Sequence, residues 1–175
     1  MYGWRVFGIS ALTAPALIAL ALAAPPVGAQ EPKSQKDQLL GTWRLLIDDR
    51  VNPDGTQTPN FGPNPNGLLM LDGNGHYSLV IARSNLPKFK SNSRAEGTAD
   101  ENKAVVGGTI AHFGTYAVDE AGHTLTLHIE GSTYPNWEAT LQKRQFALLS
   151  PEDLKWETSD ASGGGSALLY WKRAK

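Results

Sequence analysis

The sequence predicts an all-β fold, an eight-stranded antiparallel up-and-down β-barrel with one short helix in a long connection. Three observations predict it. Short apolar and aromatic runs recur along the chain after residue 38, many alternating with polar residues at the period of two that half-buried strands show. The segments between them carry turn chemistry: Asn52-Pro53-Asp54-Gly55, Asp72-Gly73-Asn74-Gly75, Glu120-Ala121-Gly122, Ser150-Pro151-Glu152 and Gly163-Gly164-Gly165 supply positive or fixed φ. Such short connections imply that sequential strands pair antiparallel, and closure removes the edges that an open sheet would expose. A two-sheet sandwich is the alternative arrangement of the same strands.

From the N-terminus, residues 1–29 read as a secretory signal peptide. Arg5 follows a short start, an uncharged apolar run extends from Val6 to Ala24, and Val27-Gly28-Ala29 offers small residues ahead of a cut before Gln30. The rival is an uncleaved anchor, since the run approaches the roughly 20 residues that span a bilayer. Against it, Pro15 interrupts the run and Ala outweighs Leu. Residues 30–38 read as a flexible linker and 39–175 as the barrel domain.

Within that domain strands are expected over 39–51, 67–72, 76–83, 109–119, 123–130, 137–149, 153–157 and 166–173. Thr98-Ala99-Asp100-Glu101 has the form of a capping box and starts a helix of one or two turns that ends near Gly107-Gly108. Between this helix and the preceding strand, residues 84–97 contain Pro87, Lys88, Lys90 and Arg94. So long a polar connection is either a cover or a tolerated excursion.

Composition narrows the function. A chain of 175 residues is the length of one domain. Removal of residues 1–29 takes away Arg5 and no acid, leaving 15 Lys and Arg against 17 Asp and Glu without a run of like charges. A nucleic-acid partner is therefore not expected, because that binding scales with clustered Lys and Arg. There is no Cys, so an exported barrel must rely on burial and hydrogen bonds, and a lipid anchor on Cys is excluded. His123 and His128 are five apart and point to opposite faces of a strand, while His76 and His112 have no companion at ligand spacing, so no metal is expected. The chain has neither a G-x-S-x-G elbow nor a P-loop, and no cofactor is expected.

The stretch LLGTWRL, Leu39 to Leu45, resembles the G-x-W opening of lipocalins, in which the Trp closes the barrel floor and an Arg of the last strand packs on it. For those roles the resemblance implies Gly41, Trp43 and, from LLYWKRAK, Arg173. FGPNPNGLL, HFGTYAVD, HIEGSTYPNW and RQF further resemble the bacterial and fungal lipocalin-like domain proteins of the calycin superfamily, over Leu39 to Trp171. Leu68 and Leu69 depart from the pattern, which has an aromatic there. The resemblance implies a barrel for a small apolar molecule, and some wider relatives are isomerases or cyclases.

The stretch from His128 to Phe146 carries the candidate site. Thr124, Thr126, His128 and Glu130 share one strand face, and Glu138, Thr140, Gln142 and Arg144 share one face of the next. Paired as a hairpin, the two strands are expected to bring these polar faces together, and that face is either solvated or turned inward. The inward reading puts His128 and Arg144 in the cavity, with Tyr116 and Tyr170 as neighbouring donors and Trp137 at the rim. The expected function is an exported, monomeric or weakly associating barrel, periplasmic or extracellular, that binds a small hydrophobic or amphipathic molecule. An isomerase or cyclase using His128 and Glu130, and a filled barrel serving as an envelope interaction module, are the alternatives.

Overall fold

The structure, a computed structural model, describes residues 1–3, 33–159 and 161–175. The expected signal peptide therefore lies almost wholly outside the described residues. Residues 33–175 form a unit by themselves. Among the described residues no helix is long and apolar enough to cross a membrane.

The barrel is built from β1 (Gly41–Val51), β2 (Gln57–Pro59), β3 (Asn66–Leu71), β4 (His76–Ala82), β5 (Thr109–Asp119), β6 (Thr124–Ser132), β7 (Leu141–Ser150), β8 (Asp153–Thr158) and β9 (Ser166–Arg173). Every strand pairing is antiparallel, and β9 returns to β1 over Trp43↔Arg173 through Val51↔Ser166, closing an eight-stranded wall. The short β2 was not anticipated; it is a flap paired only to the end of β1.

Alternation fixes what each strand buries. Leu69 and Leu71 on β3, Tyr77, Leu79 and Ile81 on β4, Leu125, Leu127 and Ile129 on β6, and Leu169 and Trp171 on β9 all point inward. In β1 the alternation breaks at a bulge between Leu45 and Ile47, so that Leu46 and Ile47 are both exposed and Asp48 turns in behind them. An extra residue in one strand re-aims the side chains beyond it.

The two ends differ. The Asp72–Gly75, Glu120–His123 and Pro151–Glu152 turns share one end with the start of β1 and the end of β9. Trp43 is fully buried there, its Nε1–H donating to Leu39 O at 2.9 Å. Arg173 places Cζ 4.1 Å from the Trp43 ring centroid and donates to Leu40 O at 2.7 Å, Pro151 O at 2.8 Å and Gln38 O. Gly41 has φ +116° and a Cβ there would lie 3.2 Å from Arg173 Nη1, so the position suits glycine on both counts.

Helix α1 (Gln35–Leu39) occupies the later part of the segment read as a linker, whose residues 30–32 lie outside the described residues. Ser34 caps it, Lys36 N donates to Glu120 Oε1 at 3.0 Å, and Leu39 is buried beneath it. Once Leu39 has a hydrophobic seat beside Trp43, the preceding turn is held in place.

Helix α2 (Ala99–Gly108) opens with a complete capping box: Glu101 N donates to Thr98 Oγ1 and Thr98 N to Glu101 Oε2. The other carboxylate oxygen of Glu101 accepts from Lys90 N at 2.9 Å, and Arg83 N donates to Gly108 O at 2.8 Å, stitching the excursion at its base.

Candidate functional site

A hollow enters the barrel at the end opposite the Trp43 floor. Its space is about 390 Å³ including solvent at the mouth, of which about 40 Å³ can take the centres of water-sized molecules. Apolar side chains make most of the wall, among them Phe61, Leu79, Ile81, Ile110, Trp156 and Leu169. Polar groups converge on it from separate strands: Asp48 from β1, His112 from β5, Arg144 from β7, Thr158 from β8 and Asn60 from the loop after β2. Of the described residues that line it, none comes from the excursion 84–107.

These polar groups are buried. Asp48 is 4% exposed, His112 4% and Arg144 3%. Arg144 donates to Gln142 Oε1 two residues along the strand and to Lys143 O at 3.0 Å, and it has further interactions besides. Tyr77 Oη and His112 Nδ1 share a hydrogen bond of 2.8 Å. The His112 ring meets Trp137 edge to face at 5.6 Å, and Trp137 meets Tyr134 in the same way at 5.6 Å.

Burial sets the charge states. His112 is held down to about 3, first by desolvation and then by the Arg144 guanidinium, so the imidazole is neutral at physiological pH. Burial likewise pushes the Tyr77 hydroxyl above its ordinary range. Asp48 is pushed up to about 6 by desolvation, against the lowering effect of a hydrogen bond from Asn60 Nδ2 at 3.3 Å, with the Asp49 charge adding to the rise. Among the described residues no group of three or more His, Asp or Glu is placed to hold a metal ion.

The structure separates the residues singled out in the sequence. Arg144 and Trp137 both line the hollow. His128 does not: it is exposed, as is Glu130, and both point away from the barrel interior. The expectation that the polar faces of the hairpin coincide is wrong. His128 pairs with Leu141, Leu127 with Gln142 and Leu125 with Arg144, so the polar face of β7 meets the apolar face of β6. The cause lies in the connector, where Pro135–Trp137 make a 3₁₀ turn and Ala139 takes φ +57°, shifting the register by the one residue that exchanges faces.

Tyr116 faces inward but near the floor, where its hydroxyl donates to Asp72 O at 2.6 Å; it does not line the hollow. Tyr170 alternates with the buried Leu169 and Trp171 and lies on the outer side beside Lys155. Asp48, Asn60, Gln142 and His112 were missed. His112 was legible, since it shares a strand face with Ile110 and Tyr116; Asp48 was not, because the bulge that turns it inward leaves no mark in LLIDD.

The family model described as a lipocalin-like domain matches residues 40–174. Among solved structures, a redesigned β-barrel is 16% identical with TM-score 0.43, covering 80% of this chain and 95% of that one. A de novo designed fluorescence-activating β-barrel is 11% identical with TM-score 0.42, covering 82% and 100%. A third barrel, solved bound to DFHBI, is 17% identical with TM-score 0.38, covering 79% and 95%. No curated protein matches significantly.

Proposed function

Because the chain belongs to the lipocalin-like domain family, we propose that its barrel holds a small hydrophobic or amphipathic molecule in the hollow at its open end. One observation carries this reading: Asp48, His112 and Arg144 converge inside an otherwise apolar and aromatic wall at the mouth, while Trp43 and Arg173 plug the other end. Burying a carboxylate such as that of Asp48 costs several kcal/mol unless it is partnered, and a ligand with a polar head and an apolar body supplies a partner. With about 390 Å³ including the mouth, the hollow suits a single ring with a short chain.

We further read residues 1–29 as a signal peptide, so that the barrel acts alone in the periplasm or outside the cell. Mass spectrometry of the mature N-terminus tests this, with Gln30 the expected first residue. Catalysis through His128 and Glu130 loses its basis, since both side chains are outside the barrel. The narrowness of the hollow, in which only about 40 Å³ can take the centres of water-sized molecules, favours one second reading, a filled barrel that serves as an interaction module.

The deciding experiment is extraction and mass spectrometry of whatever copurifies, followed by titration with an apolar fluorophore while tryptophan emission is followed. Binding that weakens about tenfold in Trp137→Ala, with the far-ultraviolet spectrum unchanged, supports the pocket. Repeated recovery of nothing, together with no fluorophore binding, supports the filled barrel.

A further inference from the structure

Hydrogen bonding inside the hollow is lopsided. Arg144 is engaged with Gln142 and with the backbone of Lys143, and His112 Nδ1 with Tyr77. Asp48 is not served to the same degree. Its Oδ1 accepts one long bond, 3.3 Å from Asn60 Nδ2, and its Oδ2 accepts none from any described residue. Nor is that oxygen sealed away: among the described residues, Trp171 Nε1 is the fully enclosed side-chain atom left without a partner, so Asp48 Oδ2 keeps contact with the space it lines.

Charge follows the same pattern. The neighbouring charge acting on Asp48 is that of Asp49, which is of like sign. Arg144 stands on β7, with β8 and β9 between it and β1 along the wall, and forms no ion pair with Asp48. Among the described residues, the unmet demand at Asp48 is therefore for a hydrogen-bond donor carrying positive charge. Phe61, Trp137 and Trp156 line the same space, and aromatic faces attract a cation and cover an apolar body.

We propose that the ligand is a small primary amine with an apolar, ring-bearing body, its ammonium donating to Asp48 and its ring lying among Phe61, Trp137 and Trp156. This rests on the reading of the hollow as a ligand pocket and names the chemistry that it selects. An ammonium has three donors, enough to fill Oδ2 and to share Oδ1 with Asn60. Bound there, it neutralises a carboxylate that has otherwise been taken out of water without a counter-charge from any described residue.

The test uses the full chain and three probes of matched shape: phenethylamine, 3-phenylpropionate and propylbenzene, titrated by calorimetry at pH 7.5. The amine is expected to bind about tenfold tighter than either analogue, and Asp48→Asn to remove that preference while leaving propylbenzene unchanged. Wild-type affinity for the amine is expected to fall about tenfold between pH 7.5 and pH 5, as Asp48 takes up a proton through about 6. His112 stays neutral over that range and Arg144 stays charged, so neither contributes to the slope. Tighter binding of 3-phenylpropionate, an amine affinity unmoved by Asp48→Asn, or a flat pH profile overturns the amine while leaving the pocket standing. If none of the three probes binds the folded protein, the pocket and the amine fall together.

Discussion

Replacing Trp43 with alanine probes how the closed end holds the barrel together. The ring is fully buried, and truncating a large core aromatic costs about 3 to 5 kcal/mol in transfer and cavity terms. Two further losses push Trp43→Ala toward the upper figure. Leu39 O forfeits the 2.9 Å bond from Nε1–H, which normally contributes about 1 kcal/mol, and Arg173 loses the ring under its guanidinium, worth about 0.5 to 2 kcal/mol. Since small domains are stable by about 5 to 15 kcal/mol, the variant should unfold at far lower urea or fail to fold at all. Trp43→Phe keeps most of the packing and drops the N–H, so a loss of about 1 to 2 kcal/mol is expected. The assay is urea denaturation followed by far-ultraviolet circular dichroism, with Arg173→Met completing a double-mutant cycle around Trp43→Phe. A Trp43→Ala midpoint within error of wild type would refute the plug. Since the phenyl ring still offers its face, the cycle reads only how much more strongly the indole holds the guanidinium, and a coupling below about 1 kcal/mol is expected.

Other sites give sharper contrasts. Gly114→Ala should destabilise by about 3 kcal/mol or more, because its Cβ would lie 2.0 Å from the backbone oxygen of His128; Gly131→Ala meets only the edge of the exposed Phe113 ring and should cost far less in the same melts. Asp48 titrates at about 6 when folded against an ordinary value of 3.8 for the unfolded chain, so its protonated form favours folding: that stability is complete below pH 3.8 and is lost as pH rises through about 6, on the order of 3 kcal/mol. Asp48→Asn should thus outlast wild type in urea at pH 8 and converge with it at pH 4. Thr98→Ala should weaken the start of α2 by about 1 kcal/mol, read as faster amide exchange over that helix. His128→Ala should change stability by less than about 0.5 kcal/mol and leave ligand binding untouched, which a thermal melt and one titration check.

The wall and the floor were legible because each rests on a local pattern. Alternation along β6 correctly separates Leu125, Leu127 and Ile129 from Thr126, His128 and Glu130, and the G-T-W stretch with a distant Arg173 marks the plug by resemblance. Pairing register is a different matter. It depends on Ala139 entering a left-handed conformation that a non-glycine residue seldom takes, and nothing in the connector announces it. The inside of the mouth was obscure for a related reason: Asp48 reaches it through a bulge whose position is set by the closing pair β1 and β9, a contact across more than a hundred residues. Where face assignment follows from one strand the sequence shows it; where it follows from two, it does not.

Arg173 does more than cover Trp43: by grasping the carbonyls of Gln38 and Leu40 while Ala174 N donates to Thr42 O, it brings the entry and exit of the barrel together at the closed end. Within residues 33–175, a tag, reporter or surface linker joined after Lys175 is thereby attached at the closed end, with the opening at the other. Immobilising the protein through its C-terminus should leave access to the hollow unobstructed, and joining Lys33 to Lys175 while cutting the Gly163–Gly165 turn offers a permuted barrel domain whose new termini flank the opening, a natural place for an optical sensor of occupancy.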